Sequence, residues 1–194
     1  MTTATKLFDL TGRHALVTGS SRGIGRAIAV GLAAAGASVA VGGRTEPGLA
    51  DAVVEIERSG GRAVAVTMDA RSVESCRAGV ENAASKLGGL DILVNNAGIE
   101  EVRPSIDVDE ALWDRILDTN LKGAFFAAQA FARNVLLRAG SGAIVNLCSL
   151  TSEVGVPTAA PYGSSKSGLL GMTRALSTEW SPKGIRVNAI APGY

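Results

Sequence analysis

The hydrophobic residues of this chain follow two alternating patterns. Six short runs are almost continuously apolar and rich in Val, Ile and Ala, and five longer segments carry apolar residues at helical spacing. Continuous apolar runs are typical of strands buried on both faces, as in a parallel sheet covered by helices. The predicted strands are residues 14–18, 38–41, 62–68, 91–95, 142–147 and 184–190.

Helical segments separate the predicted strands, and this repeated strand–helix order predicts a doubly wound α/β fold. No linker, low-complexity tract or block of like charges divides the sequence, so we expect residues 1–194 to form a single domain. The predicted helices are residues 23–35, 49–59, 73–87, 109–138 (with a bend near Gly123) and 161–180.

Composition narrows the possible functions. The 19 basic and 18 acidic residues leave a net charge of +1, so we expect neither a nucleic-acid partner nor an anionic membrane surface. Two cysteines and a single histidine, His14, give no basis for a disulfide framework, a metal site or a histidine-based triad. With no signal-peptide pattern at the N-terminus and no apolar run of about 18 residues, we expect a cytoplasmic protein.

A glycine-rich loop, TGSSRGIG, occupies residues 18–25 between the first predicted strand and the first helix. Gly19, Gly23 and Gly25 would allow a tight turn, a close approach of backbone to phosphate, and close packing of the helix on the sheet. Three glycines alone could equally form a turn that binds nothing. Their place after the first strand favours dinucleotide binding, with the pyrophosphate at the helix N-terminus.

A tyrosine and a lysine four residues apart, Tyr162 and Lys166, would share one face of a helix. Tyrosine has a pKa near 10, and a neighbouring ammonium would move that pKa towards neutrality and make the phenol a better acid–base catalyst. Ser149 follows the fifth strand, where ligands of open α/β sheets bind. Its hydroxyl could hold a substrate oxygen or could simply bond the local backbone. Cys148 is interpreted as a small buried filler.

Several motifs in order resemble those of the classical short-chain dehydrogenases/reductases, over nearly the whole chain, with a general likeness to 3-oxoacyl-[acyl-carrier-protein] reductases. The resemblance implies a Rossmann-type parallel sheet of order 3-2-1-4-5-6 and the catalytic residues Asn120, Ser149, Tyr162 and Lys166, with Asn120 anchoring a water that relays protons to Lys166. The motifs are TGSSRGIG at 18–25, NNAG at 95–98, Asn120, Ser149 followed by YGSSK at 162–166, and Pro192-Gly193.

The cofactor is expected to be NADP(H) rather than NAD(H). An NAD site usually has an acidic residue at the end of the second strand, whereas this strand ends in Gly42, Gly43 and Arg44. Arg44 and Arg22 could bind a 2′-phosphate, although both could also be solvated surface charges. The expected cofactor-binding residues are Gly19, Ser21, Arg22, Gly23, Ile24, Gly25, Arg44, Asp69, Asn95, Ala97, Gly98, Tyr162, Lys166, Pro192 and Gly193.

Two of these residues have a competing structural interpretation. Asp69 could contact the adenine or cap the helix that begins near Ser72. Asn95 resembles a residue that stabilises the central sheet, and we expect it to be structural rather than chemical.

The expected activity is hydride transfer between NADP(H) and a ketone or secondary alcohol, as in a carbonyl reductase and possibly a 3-oxoacyl thioester reductase. An alcohol or sugar dehydrogenase working oxidatively is the alternative, and a non-catalytic dinucleotide sensor is less favoured because Ser149, Tyr162 and Lys166 are all present. The segment 121–137 is apolar around most of its circumference, which a partner subunit would explain. The family resemblance implies that this helix and the Tyr162 helix form a subunit interface, so we expect a homo-oligomer, a tetramer or a dimer. Because similar proteins continue past Tyr194, we also expect the domain to lack its last strand and substrate loop.

Overall fold

The computed structural model describes residues 7–193, which form a six-stranded parallel sheet of order β3-β2-β1-β4-β5-β6. This order confirms the predicted doubly wound, Rossmann-type fold. All five strand pairings are parallel, so the six carboxyl ends lie at the same edge of the sheet. The strands are β1 (His14–Thr18), β2 (Ser38–Gly43), β3 (Arg62–Thr67), β4 (Ile92–Asn95), β5 (Gly142–Leu147) and β6 (Ile185–Ile190).

Six α-helices connect or follow these strands, and each predicted helix is present. Short 3₁₀ turns occur at Ser105–Asp107, Leu150–Ser152 and Ser181–Lys183. No helix within residues 7–193 has both the length and the apolarity needed to cross a bilayer. The helices are α1 (Gly23–Ala34), α2 (Glu46–Arg58), α3 (Val73–Leu87), α4 (Glu110–Leu117), α5 (Gly123–Leu137) and α6 (Ala160–Trp180).

The long helical region predicted for residues 109–138 is interrupted by one π-helical turn, Asp118–Lys122, between α4 and α5. The expected bend near Gly123 therefore corresponds to a change in helical hydrogen bonding. Gly123 itself packs against the loop after β3, because a Cβ built there would lie 2.2 Å from the carbonyl oxygen of Ala70. A larger residue at this position would push α5 away from that loop.

Two hydrophobic layers cover the sheet. On one face, α3, α5 and α6 contribute residues such as Phe131 and Trp180, which pack with Leu16 of β1. On the opposite face, α1 and α2 pack against neighbouring strand residues such as Val17. Consecutive residues of β1 thus point into different layers, which explains why the strand sequence is continuously apolar.

The chain reverses its direction of strand addition at β1, which lies between β2 and β4. At such a reversal the connecting loops on either side diverge and leave a crevice beyond the carboxyl ends of the strands. A buried chain of hydrogen bonds rigidifies the neighbouring part of the sheet: Asn95 Nδ2 donates to Asn146 Oδ1 at 2.9 Å, and Asn146 Nδ2 donates to Thr173 Oγ1 at 2.9 Å. These bonds connect β4 and β5 to α6, the helix that carries Tyr162 and Lys166.

Candidate active site

A cavity of about 850 Å³ lies in the crevice at the carboxyl ends of the strands. Most of the residues that the sequence indicated meet there, although they come from widely separated parts of the chain. Two do not line it, Asn95 and Asn120, and both side chains are engaged with the protein interior. The indicated residues that line the cavity are Gly19, Ser21, Arg22, Gly23, Ile24, Gly25, Arg44, Asp69, Ala97, Gly98, Ser149, Tyr162, Lys166, Pro192 and Gly193.

The glycine-rich loop has the backbone that its sequence predicts. Gly19 and Gly23 have φ values of +64° and +59°, a conformation that side chains with a Cβ rarely adopt. Gly25 has no room for a side chain, because a Cβ there would lie 2.3 Å from Asn96 Nδ2 and 2.5 Å from the Gly19 carbonyl oxygen. Asn96 Nδ2 in turn donates to the carbonyl oxygens of Thr18 and Gly19 at 2.9 and 3.1 Å. The loop is therefore held rigidly at the start of α1.

These residues fit a dinucleotide with an additional phosphate. The N-terminus of the 12-residue helix α1 opens onto the cavity and supplies free N–H groups and a positive dipole end. Arg22 and Arg44 are exposed on the cavity wall, and neither forms an ion pair with any residue from 7 to 193. The end of β2 carries Gly42 and Gly43 in place of a carboxylate. Both arginines are thus available to a phosphate.

Asp69 lies on the cavity wall and does not cap the following helix. The cap of α3 is Ser72, whose side chain accepts a hydrogen bond from the Ser75 backbone N–H at 3.1 Å. Asp69 instead accepts a hydrogen bond from the guanidinium of Arg71 at 2.9 Å, and this bond holds the pKa of its carboxyl below the ordinary value. Of the two interpretations left open by the sequence, the cap is wrong.

The observed hydrogen bonds of the Asn95 side chain go to other parts of the fold. Its side-chain amide donates to Asn146 Oδ1 and, at 3.1 Å, to the carbonyl oxygen of Ala124, so it links β4 to β5 and to α5. The side chain is 3% exposed and does not reach the cavity wall. This agrees with the structural role expected from the sequence.

Lys166 is buried beneath Tyr162 in the first half of α6. Its Nζ atom donates to the carbonyl oxygen of Leu147 at 2.5 Å and lies 5.6 Å from the centroid of the Tyr162 ring. Burial lowers the pKa of Lys166 below its ordinary value because the charged ammonium is desolvated. The lysine is therefore fixed by the last residue of β5.

The pKa of Tyr162 lies above its ordinary value, in contrast to the lowering expected from a neighbouring ammonium. Burial of the phenol is the main cause, and the nearby Glu100 carboxylate acts in the same direction. The neighbouring Ser149 hydroxyl acts in the opposite direction and lowers the Tyr162 pKa. Because the Lys166 ammonium lies below the ring and donates to Leu147, it does not offset the burial of the phenol. Tyr162 is accordingly a protonated phenol at neutral pH.

Ser149 bonds the local backbone, which is one of the two roles considered for it. It caps the 3₁₀ turn Leu150–Ser152, where its hydroxyl accepts a hydrogen bond from the Thr151 backbone N–H at 3.2 Å. It also lines the same cavity as Tyr162. Cys148 beside it is 4% exposed, and burial raises the pKa of its thiol, which suits a packing role.

Asn120 lies in the π-helical turn, as expected for a polar residue at a break in a helix. Its side chain pairs with the backbone of Ile99: Oδ1 accepts from the N–H at 2.8 Å and Nδ2 donates to the carbonyl at 2.9 Å. A Cβ built on Gly98 would lie 3.4 Å from Asn120 Oδ1 and 3.5 Å from Lys166 Nζ. The absence of a side chain at Gly98 leaves space between these two polar groups.

Several functional neighbours were missed by the sequence reasoning. Ser152, Arg71 and the backbone of Ile99 and Leu147 hold the indicated side chains or line the cavity. Backbone partners have no sequence signature, because any residue type supplies the same groups. The spacing of Ser152, three residues after Ser149, resembles a capping pattern and is the one signal that could have indicated its role.

Comparisons with known proteins agree with this geometry. Residues 13–194 match the family model described as short chain dehydrogenase. The 3-oxoacyl-[acyl-carrier-protein] reductase FabG of Staphylococcus aureus is 43% identical over 183 residues, which cover 94% of this chain and 74% of that protein.

Two crystal structures show the same fold at high similarity. A candidate short-chain alcohol dehydrogenase from Sinorhizobium meliloti 1021 is 68% identical, with a TM-score of 0.94 and coverage of 96% of this chain and 74% of that one. A gluconate 5-dehydrogenase from Burkholderia cenocepacia J2315, in complex with NADP and tartrate, is 38% identical, with a TM-score of 0.93 and coverage of 98% and 74%.

The family match spans nearly the whole chain, and the matched residues include the glycine-rich loop and the Ser149, Tyr162 and Lys166 group. The expected family and reaction class are thereby confirmed. The chain belongs to the short-chain dehydrogenases/reductases, oxidoreductases that interconvert CH–OH groups and carbonyls with a nicotinamide dinucleotide.

Proposed function

We propose that this protein uses NADP(H) to interconvert a secondary alcohol and a ketone on a hydroxylated small molecule. The observation that carries the proposal is a single cavity with two chemically different ends. Arg22 and Arg44 come from the loops after β1 and β2, whereas Ser149 and Tyr162 follow β5 on the other side of β1 and β4. One extended dinucleotide would span this arrangement.

The cofactor end would be held by the residues that the sequence indicated around the glycine-rich loop. The N–H groups at the start of α1 would bind the pyrophosphate, and Arg22 and Arg44 would bind a 2′-phosphate. Pro192 and Gly193 would approach the nicotinamide end, because the Pro192 carbonyl accepts a hydrogen bond from the Leu150 backbone N–H at 3.1 Å, next to Ser149. This set favours NADP(H) over NAD(H).

The proposed chemistry assigns one role to each catalytic side chain. The nicotinamide supplies or accepts the hydride when bound. Tyr162 donates a proton to the carbonyl oxygen during reduction and accepts it during oxidation, while the Ser149 hydroxyl holds that oxygen. Lys166 supplies a positive charge beneath the ring, and Asn120 holds Ile99 in place and offers polar contacts for a water between Gly98 and Lys166.

The substrate end favours a polar substrate over an acyl chain. Glu100, Glu101 and Arg115 bring charged side chains to the wall of the cavity. A long alkyl chain would desolvate these groups without replacing their hydrogen bonds, whereas hydroxyl groups would replace them. A sugar-related alcohol is consequently favoured over a 3-oxoacyl thioester, in line with the gluconate 5-dehydrogenase relative.

The test has two parts, binding and turnover. NADPH should bind more tightly than NADH when the protein is titrated by fluorescence. Tyr162→Phe should remove measurable turnover of polyols and their ketones and leave the Kd for NADPH within about twofold, because the substitution removes only the hydroxyl. Ser164→Ala, at an exposed position of the same helix, serves as the matched control and should remain active. An active Phe variant would rule out the assigned proton transfer.

We further propose that the protein is a cytoplasmic homo-oligomer that associates through α5 and α6. Phe125 and Phe126 of α5 are only partly buried within one chain, and Leu137 at its end is 88% exposed. Two buried, unpaired cysteines, Cys76 and Cys148, suit a reducing compartment. Light scattering on the purified protein would give the mass of the assembly, and a monomer at micromolar concentration would contradict the proposal.

A further inference from the structure

The segment that follows β4 brings two carboxylates to the substrate end of the cavity. Glu100 and Glu101 come directly after Ile99 and line the same cavity as Ser149 and Tyr162. Their position is fixed, because Ile99 is held through both backbone groups by Asn120. The two carboxylates differ in what surrounds them.

The charge of Glu101 is compensated. Its carboxylate forms one ion pair with Arg103 at 2.5 Å and a second, very close, with Arg115. Arg103 also pairs with Asp109 at 2.9 Å. These two carboxylates and two guanidiniums therefore form a neutral cluster, and the charge of each arginine is already paired with a carboxylate.

Glu100 has no such compensation. It is exposed on the cavity wall, and no ion pair or side-chain hydrogen bond involves its carboxylate within the described part of the chain. Its charge is near enough to Tyr162 to favour the protonated phenol. The other charge close to Tyr162, on Lys166, is 5% exposed and directed at the Leu147 carbonyl. Glu100 is thus the charge that a substrate meets.

We infer that Glu100 makes the substrate end of this cavity selective for uncharged, hydroxylated substrates and unfavourable to carboxylates. The inference rests on the proposed function and specifies its substrate class. A hydroxyl group can donate a hydrogen bond to the Glu100 carboxylate, whereas an anion held beside it is repelled in a partly desolvated space. A neutral polyol is accordingly a better substrate than the corresponding sugar acid, in contrast to the gluconate 5-dehydrogenase relative, which was crystallised with the dianion tartrate.

Matched ligand pairs test the effect of charge alone. D-Glucitol and D-gluconate share a carbon chain and differ at C1, where the first has a hydroxymethyl group and the second a carboxylate. L-Threitol and L-tartrate form a second pair for binding measurements by calorimetry on the NADP⁺-loaded protein. Glu100→Gln removes the charge and keeps the shape, and Glu57→Gln, at an exposed position on α2 outside the cavity, is the control.

The expected result is a change in selectivity confined to the Glu100 variant. The ratio of kcat/KM for gluconate to that for glucitol should rise by about three- to tenfold in Glu100→Gln, as expected for removal of one partly screened charge, and should not change in Glu57→Gln. The affinity for tartrate relative to threitol should rise by a similar factor. An unchanged ratio in both measurements would overturn the inference.

The binding measurement separates this inference from the proposed function. If no polyol or sugar acid is oxidised, the proposed substrate class fails, but a rise in tartrate affinity in Glu100→Gln still supports the role of Glu100. If polyols are oxidised and Glu100→Gln changes neither the gluconate-to-glucitol ratio nor the tartrate affinity, the role of Glu100 is wrong and the proposed function stands.

Discussion

Ser152 links Lys166 on α6 to Ser149, the catalytic candidate that follows β5. Its hydroxyl donates to the Lys166 carbonyl oxygen at 3.0 Å and accepts a hydrogen bond from the Ser149 backbone N–H at 3.3 Å. The first bond reaches α6, which carries Tyr162, and the second reaches the residue that follows β5. One hydroxyl therefore sets the spacing between Ser149 and the Tyr162–Lys166 face of the helix.

Removal of this hydroxyl should reduce turnover more than cofactor binding. We expect Ser152→Ala to lower kcat by about tenfold, because small misplacements of positioned groups are costly in catalysis, and to change the Kd for NADPH by less than about twofold. The loss of one partly buried hydrogen-bonding group should also cost roughly 1 kcal/mol of unfolding free energy. Steady-state kinetics and urea denaturation measure the two effects.

The control for Ser152 is a hydroxyl on α6 that makes only a local bond. Thr178 donates to the Arg174 carbonyl at 3.1 Å on the exposed side of α6. Thr178→Ala should therefore leave kcat unchanged. Equal values of kcat in Ser152→Ala and in the unsubstituted protein would show that the hydroxyl is structural only.

Arg44 should account for much of the preference for NADP(H). Its guanidinium lines the cavity beyond β2, at the position where NAD-binding proteins have a carboxylate. We expect Arg44→Ala to weaken NADPH binding by about tenfold, the loss of one charge-assisted contact to a phosphate. NADH lacks that phosphate, so its Kd should stay within about twofold.

Fluorescence titrations of Arg44→Ala with both dinucleotides measure this difference. Arg58→Ala, at the exposed end of α2, removes the same charge away from the cavity and should alter neither affinity. A parallel loss of NADPH and NADH binding in Arg44→Ala would mean that the residue supports the loop rather than the 2′-phosphate.

The two directions of the reaction should depend oppositely on pH. The pKa of Tyr162 is raised, chiefly by burial, so the phenol is protonated and ready to donate at neutral pH. Oxidation of an alcohol requires the phenolate, so its kcat/KM should rise with pH into the alkaline range. Reduction should be constant at neutral pH and should fall as pH rises through the Tyr162 pKa.

The charge of Glu100 contributes to this profile. Because that carboxylate raises the pKa of Tyr162, Glu100→Gln should lower it and move the alkaline limb of both pH profiles to lower pH. Profiles of kcat/KM measured for oxidation and reduction in the two proteins provide the comparison. A shift to higher pH would show that the nearby charge acts on another group.

The fold was predictable because parallel strands buried on both faces have a distinctive sequence. β1 and β5 were predicted with their observed bounds, and the glycine-rich loop and the Tyr162–Lys166 pair were located from their spacing together with their positions after β1 and β5 and the family resemblance. The π-helical turn at Asp118–Lys122 was predicted only as a bend. Its Asn120 pairs with the backbone of Ile99, 21 residues away, and a backbone partner has no sequence signature.

The pKa shifts and ion pairs of the site were less predictable than the identity of the residues that form it. Spacing placed Lys166 beside Tyr162 correctly, but the sign of the Tyr162 pKa shift depends on burial and on where Nζ donates its hydrogen bond. The acceptor is the Leu147 carbonyl, a backbone group with no sequence signature. Likewise, the difference between Glu100 and its neighbour Glu101 depends on the placement of Arg103 and Arg115.

Replacing either of two helical glycines with alanine should change the free energy of unfolding, but in opposite directions. At Gly123 a Cβ would lie 2.2 Å from the Ala70 carbonyl oxygen, which belongs to the backbone and has little freedom to move. We expect Gly123→Ala to reduce the free energy of unfolding by about 1–3 kcal/mol, the usual cost of overpacking. Gly171 of α6 has nothing within 4 Å of the same point, so Gly171→Ala should increase it by about 0.5–1 kcal/mol.

Urea denaturation of both variants, followed by circular dichroism, measures the two changes against the same reference. If both variants are more stable than the unsubstituted protein, helix propensity dominates and α5 can move away from the loop after β3. Destabilisation of Gly123→Ala alone would instead show that the contact with Ala70 fixes the start of α5. Because α5 follows directly on the π-helical turn that contains Asn120, the same variant should also lose catalytic activity before it loses its fold.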